Sequence, residues 1–270
     1  MTMKLAFSAG FESYGTRFLL RSNDRDILDE VIEIASSALL GNLEPCLDGP
    51  YPLKFDLVGP RELYDVIRNG EVITKGTPDA YSARHLNGLI RISVAEFSRD
   101  RVFLHAGAVA WRGKGIVLPA LSFNGKSTLV YELVKLGAEY YSDDFAILDE
   151  RGRLNPFPRD ISMRTREENY TIYQVDPAEI GGIKGARPVP VHMIFLTKYR
   201  PRARWMPKTL LRGQGVFEIL PFTLPIRQSP DLAFKTLNSV AMKAIISKSD
   251  RGEAKAFARR LLEFVDKTSN

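Results

Sequence analysis

The alternation of apolar and polar residues near the start of the chain predicts two short strands, Lys4–Phe7 and Thr16–Leu20. Asn23 or Asp24 is positioned to cap a helix, because Ile27, Leu28, Val31, Ile32, Ile34 and Ala35 follow near helical spacing. Tyr64–Ile67 and Val72–Thr74 flank Asn69-Gly70, the dipeptide preferred in tight hairpin turns. A second helix is predicted from about Pro78 to Phe97, with Leu86, Leu89, Ile90, Val94 and Phe97 turned inward. Residues 1–100 therefore read as a small α+β region.

From Arg101 the pattern changes, and residues 101–270 read as a separate α/β core with a mixed sheet. Val102–Leu104, Ala108–Trp111 and Gly115–Leu118 are strand-like, with Gly113-Lys-Gly115 as the turn between the last two. Residues 120–128 form a polar loop. Thr128–Leu136 then reads as a helix with Leu129, Leu133 and Leu136 on one face and Gly137 as its stop. Glu139–Tyr141 leads as a strand into Ser142-Asp143-Asp144, and Phe145–Leu148 continues apolar. Val189–Leu196 suits a core strand. Gly252–Val265 suits a terminal helix with Ala256, Phe257, Leu261, Leu262 and Val265 as its buried stripe.

The 270 residues include 44% hydrophobic and 26% charged positions, which excludes a disordered chain. One cysteine, Cys46, excludes an intrachain disulfide and a cysteine-rich zinc site. No apolar run reaches the roughly 18–20 residues of a membrane span, so a cytoplasmic setting with no membrane partner is expected. Basic residues number 38 against 32 acidic ones, for a net charge of +6. No acid occurs from Ile180 to Phe217, a stretch that holds Lys184, Arg187, Lys198, Arg200, Arg202, Arg204, Lys208 and Arg212. Those charges suit either a solvated surface or a phosphate-bearing partner.

Ala120-Leu-Ser-Phe-Asn-Gly125-Lys126-Ser127 matches the phosphate-loop pattern G-x-x-x-x-G-K-[ST] (Walker A) except at its first glycine. Such a loop aims successive backbone N–H groups at one anion, and the following helix start adds partial positive charge. Gly125 permits close approach, Lys126 supplies a cation for the phosphates, and the Ser127 hydroxyl is a hard oxygen suited to Mg²⁺. Ser122, Phe123, Asn124 and Thr128 complete the cradle. Ala120 is tolerable if the strand simply ends there, and Asn124 could take the left-handed turn position. Asp143 and Asp144 follow the next strand, where acids face a nucleotide at a sheet's carboxyl edge. Neighbours on a strand point to opposite faces. One acid would then orient the metal while the other takes a proton from an attacking hydroxyl.

His105-Ala-Gly, the Asn-Gly-Lys-Ser-Thr loop and the segment Leu-Gly-Ala-Glu-Tyr-Tyr-Ser-Asp-Asp144 together resemble the kinase core of HPr kinase/phosphorylase and its relatives. Those relatives include kinases of peptide-maturation clusters. Asn155-Pro-Phe-Pro-Arg159-Asp-Ile-Ser-Met-Arg164 is similar to a segment that follows the aspartates in many of them. The resemblance implies a phosphoenolpyruvate-carboxykinase-like P-loop fold. It implies an ATP- and Mg²⁺-dependent phosphotransferase acting on an alcohol group, and a homo-oligomer. By position, Lys126 would bind phosphates, and Ser127 and Asp143 would hold Mg²⁺. Asp144 would be the general base, His105 would lie near the phosphates, and Arg159 or Arg164 would stabilise transferred charge. Ala120 and Asn124 depart from glycines common in that family.

Two alternatives stand beside the kinase. One is a nucleotide-binding regulator that has lost catalysis; the other, ranked third, is a nucleic-acid kinase or binder that uses the acid-free stretch. The acceptor of a kinase would be a serine of a protein or peptide, or a small alcohol.

Overall fold

A computed structural model describes residues 4–77, 79–121, 124–165 and 171–268, a mixed α/β chain with six α-helices among the described residues. It divides into two compact units: Met1–Asp100 with Arg227–Ser229, and Arg101–Ile226 with Pro230–Asn270.

In the first unit the strands are β1 (Phe7–Ser13), β2 (Thr16–Ser22), β3 (Glu44–Pro45), β4 (Leu53–Val58), β5 (Tyr64–Arg68) and β6 (Glu71–Thr77). The helices are α1 (Arg25–Ala38) and α2 (Asp79–Phe97). The sheet order is β3-β1-β2-β4-β5-β6, antiparallel except for the β2–β4 pair, which α1 connects. Alternate residues of β2 and β4 are buried, as a sheet with one covered face requires. Phe18, Leu20, Phe55 and Leu57 pack there with Ile27 and Val31 of α1 and Ile90 and Val94 of α2. One sequence expectation needs correction, and an open choice is resolved. The first strand begins at Phe7, not Lys4, because its partner β2 is reached by Ser22 opposite Phe7. Of the two candidate caps, Asp24 accepts the N–H groups of Asp26 and Ile27, while Asn23 bonds Gly59. Asn69 and Gly70 take φ of 49° and 86° in the β5–β6 turn. Pro78, the expected start of α2, lies outside the described residues.

In the second unit the strands are β7 (Val102–Trp111), β8 (Lys114–Pro119), β9 (Glu139–Ser142), β10 (Phe145–Leu148), β11 (Arg153–Asn155), β12 (Ile161–Arg164), β13 (Ile172–Val175), β14 (Val189–Tyr199), β15 (Lys208–Thr209) and β16 (Ile245–Arg251). The helices are α3 (Lys126–Lys135), α4 (Arg212–Ile219), α5 (Pro230–Ala241) and α6 (Ala254–Lys267). The large sheet runs β11-β10-β7-β8-β14-β16-β15, with β9 also on β7 and β11 also on β14. Its centre is parallel across β8, β14 and β16, and β7 runs antiparallel to its neighbours. Both faces are covered, so β7 and β8 are buried almost throughout. Ala106, Ala108 and Ala110 of β7 face α4 and α5, whereas Val109 faces α3 and α6.

The turn from β7 to β8 is Arg112-Gly113, both at positive φ, rather than Gly113-Lys-Gly115. Lys114 already belongs to β8, and Gly115 lies inside the strand against the Pro190 carbonyl and Leu154. In α6 the buried alanines are Ala254 and Ala258, and Ala256 is exposed. The larger Phe257, Leu261 and Val265 set the helix's rotation, and Ala256 falls outside their stripe. No helix among the described residues is long and apolar enough to cross a membrane.

Candidate phosphate site

β8 ends at Pro119 and the buried Ala120 closes it, so the missing first glycine leaves the strand undisturbed. Ser122 and Phe123 lie outside the described residues. The Asn124 N–H donates to the Leu121 carbonyl at 3.3 Å. Asn124 does not take the left-handed conformation expected of it; Gly125 does, with φ 68° and ψ 30°. A side chain at residue 125 would be strained there and would also collide with the Arg251 guanidinium.

The helix then begins at Lys126, two residues earlier than its apolar stripe suggests. Leu129, Val130, Leu133 and Val134 anchor it on the sheet, and Gly137 and Ala138 close it by donating to the carbonyls of Val134 and Leu133. Its start has no side-chain cap. The first helical bond is Leu129 N–H to the Gly125 carbonyl at 3.1 Å, so the N–H groups of Lys126, Ser127 and Thr128 have no acceptor within the helix. An anion is the natural complement of such a helix start. Gly107 of β7 lets α3 approach, since a Cβ there would collide with Val130 and press on the Lys126 stem.

Asp143 and Asp144 follow the end of β9 at Ser142, as the sequence pattern predicts, and β10 resumes at Phe145. β9 and β10 both pair with β7, with Ser142 opposite Ala108 and Phe145 opposite His105. The two aspartates are a bend in the middle of one long antiparallel run, just after an irregularity near Tyr141. The Ser142 hydroxyl holds the bend by accepting the N–H groups of Asp144 (3.2 Å) and Phe145 (3.1 Å). The Ala106 N–H still reaches the Asp144 carbonyl at 3.0 Å. Both carboxylates act electrostatically on Lys126.

Asp143 is buried and well held. It accepts the Tyr140 hydroxyl at 3.2 Å, the Ser162 N–H at 3.0 Å, and a hydrogen bond from Ser127. Burial raises its pKa, and Asp144 adds to that, while Ser127, Ser162 and Lys126 pull it back. The Tyr140 phenol is driven above its ordinary range by burial and by Asp143. Burial lowers the Lys126 ammonium to about 8, with Asp144 and Asp143 opposing and Arg164 reinforcing the shift. Shifted acid and base groups gathered at one helix start make this the candidate functional site.

The other expected residues fall as follows. His105 is half-buried on β7, edge-on to Phe145 with ring centroids 6.3 Å apart. It shares the strand face of Gly107, the face turned to α3. Arg164 ends β12, exposed, with its charge felt at Lys126. Arg159 is half-buried between β11 and β12, its N–H on the Phe157 carbonyl at 3.0 Å. Thr128 is exposed on the first turn of α3. Ser127 and Asp143 offer a hydroxyl and a carboxylate side by side. Mg²⁺ suits that hard-oxygen pair, since it keeps several waters and takes further oxygens from phosphates. Among the described residues no group of three or more His, Cys, Asp or Glu side chains is placed to hold a metal ion.

Sequence reading missed Tyr140, the Ser162 N–H and Arg251, which donates to the carbonyls of Asn124 and Gly125. The Ser-Asp-Arg context of Arg251 carries no mark of that role. In the acid-free stretch, Lys184 meets Asp176 (3.2 Å) and Asp160 (3.7 Å), and Arg200 meets Asp250 (3.1 Å). Part of that positive charge is therefore matched by acids from other segments.

No family model and no curated protein sequence matches the chain. Among solved structures, it is similar to the Hpr(Ser) kinase/phosphatase from Coxiella burnetii, at 12% identity and a TM-score of 0.36, over 61% of this chain and 96% of that one.

Proposed function

We propose that the chain is an ATP- and Mg²⁺-dependent kinase that transfers the γ-phosphoryl group to an alcohol. The carrying observation is the uncapped start of α3, with Lys126 as its first residue and two carboxylates acting on that lysine from the β9–β10 bend. The resemblance of His105–Leu148 to the HPr kinase core supports the same reading.

In this reading the amides of the first turn and the Lys126 ammonium bind and orient the phosphates. Ser127 and the buried Asp143 hold Mg²⁺, with Asp143 acting directly or through a water. Mg²⁺, when bound, neutralises charge across the phosphate oxygens. Asp144, less buried than Asp143, accepts the proton of the acceptor hydroxyl as its oxygen attacks the γ-phosphorus and ADP leaves. Arg164 brings a positive charge to the transferred group. Arg159 is the alternative for that charge, and His105 would lie near the phosphates. The acceptor is a serine of a protein or peptide, or a small alcohol.

The test is incubation with γ-labelled ATP and a lysate of the source organism. A labelled species is expected with the wild type and none with Lys126→Ala. Binding of ATP without transfer to any acceptor would favour the regulator instead.

A further inference from the structure

Arg251 ends β16 and is 2% exposed, and the transfer reading above makes no use of it. Its Nη2 donates to the carbonyls of Asn124 (2.9 Å) and Gly125 (2.7 Å), and its Nη1 to the Gly252 carbonyl (3.2 Å). The guanidinium carbon lies 5.3 Å from the ring centroid of Tyr199, whose hydroxyl donates to Glu253 at 2.9 Å. The buried Nε has no hydrogen-bond partner. Among the described residues no carboxylate forms a salt bridge with this arginine, although a buried charge ordinarily requires one.

Peptide geometry gives these contacts a consequence. All described peptide bonds are trans, and in a planar trans peptide the C=O and the following N–H point in opposite directions. Holding the Asn124 carbonyl against Arg251 turns the Gly125 N–H to the far side. The Gly125 carbonyl, held by Arg251 together with the Leu129 N–H, does the same for the Lys126 N–H. The arginine grips the loop from behind, and the amides so turned sit at the uncapped helix start.

We propose that Arg251 is a positioning residue of the phosphate cradle. Clamped on two loop carbonyls, it presets the Gly125 and Lys126 amides for the phosphates of a nucleoside triphosphate, whose negative charge complements its own. The inference rests on the transfer reading and deepens it. Arg251 touches no reacting atom, so its loss acts on nucleotide affinity more than on the chemical step.

The experiment measures Mg·ATP binding by calorimetry, KM and kcat, and the thermal midpoint without nucleotide. The proteins compared are the full-length wild type, Arg251→Met, Arg251→Lys, and the surface control Arg200→Met. Arg251→Met is expected to weaken binding about tenfold or more, since charged hydrogen bonds that preorganise the site are lost. KM for ATP should rise more than kcat falls. The nucleotide-free midpoint should fall with the loss of three hydrogen bonds to carbonyls, so affinity is read where every variant is folded; a merely structural role would leave the affinity of the folded variants at the wild-type value. Arg251→Lys keeps the charge but cannot bridge two carbonyls in one plane, so it should also bind weakly, and it carries the test if the methionine variant fails to fold. Arg200→Met should match the wild type. Wild-type affinity in both Arg251 variants would overturn this inference and leave the transfer reading standing. Failure of the wild type to bind Mg·ATP would overturn the transfer reading itself.

Discussion

The starts of α1 and α3 solve the same problem in opposite ways. At α1, the Asp24 carboxylate accepts the N–H groups of Asp26 (2.8 Å) and Ile27 (3.3 Å), and Asp26 adds a second negative charge in the first turn. That helix start is complete without a ligand. At α3, the cap position is Gly125, which has no side chain to offer, and cations rather than anions begin the helix. Lys126 stands in the first turn, Arg164 acts on it, and Arg251 holds the loop from behind. A helix start made for stability brings its own acid. At α3 no side chain caps the first turn, and an anion from outside would complement its amides.

The largest effect that tests this contrast is on transfer. Asp144→Asn and Lys126→Ala should each reduce labelled-phosphate transfer by about a thousandfold or more, on the scale of losing a general base or a phosphate cation. Asp144→Asn should keep Mg·ATP affinity within a few-fold, and Lys126→Ala should not. Wild-type-like turnover by Asp144→Asn would reject its assignment as base.

Next in size is Gly125→Ala. A Cβ at φ 68° is strained and meets the Arg251 guanidinium. A loss of about 1–2 kcal/mol in chemical denaturation is expected, with weakened nucleotide binding. The matching change at the other helix, Asp24→Ala, should cost about 1 kcal/mol of stability yet leave Mg·ATP affinity untouched. If Asp24→Ala altered nucleotide affinity, or Gly125→Ala did not, the two starts would not differ as described.

An effect of similar size is expected on stability against pH. The folded Lys126 titrates near 8, below the 10.5 of an ordinary lysine. Between those values the unfolded chain binds the extra proton, so stability rises with pH across that window and the penalty is fully present below 8. Lys126→Met should abolish this rise in nucleotide-free protein, as read from denaturation midpoints at pH 7.5 and pH 10.

Much of this was legible because local chemistry announces itself. The Asp24 cap, the Asn69-Gly70 turn, the Leu129–Leu133 stripe and the Gly137 stop each depend on residues within a few positions of one another. The strand bend at Asp143–Asp144 was not legible. It depends on β9 and β10 sharing β7 as a partner, a pairing that no local pattern encodes. Ala256 misled because a small residue fits the buried and the exposed side of a helix equally well. Arg251 was invisible for a plainer reason: its partners are main-chain carbonyls, which look the same in every sequence.

The bond from Arg251 to Asn124 also joins positions 127 residues apart. The loop, its helix and the bent strand can all be synthesised long before the residue that fixes the amide directions leaves the ribosome. Contacts of such separation form late, after the chain between them has been closed into a loop. Affinity for phosphates should therefore depend on closing that long loop.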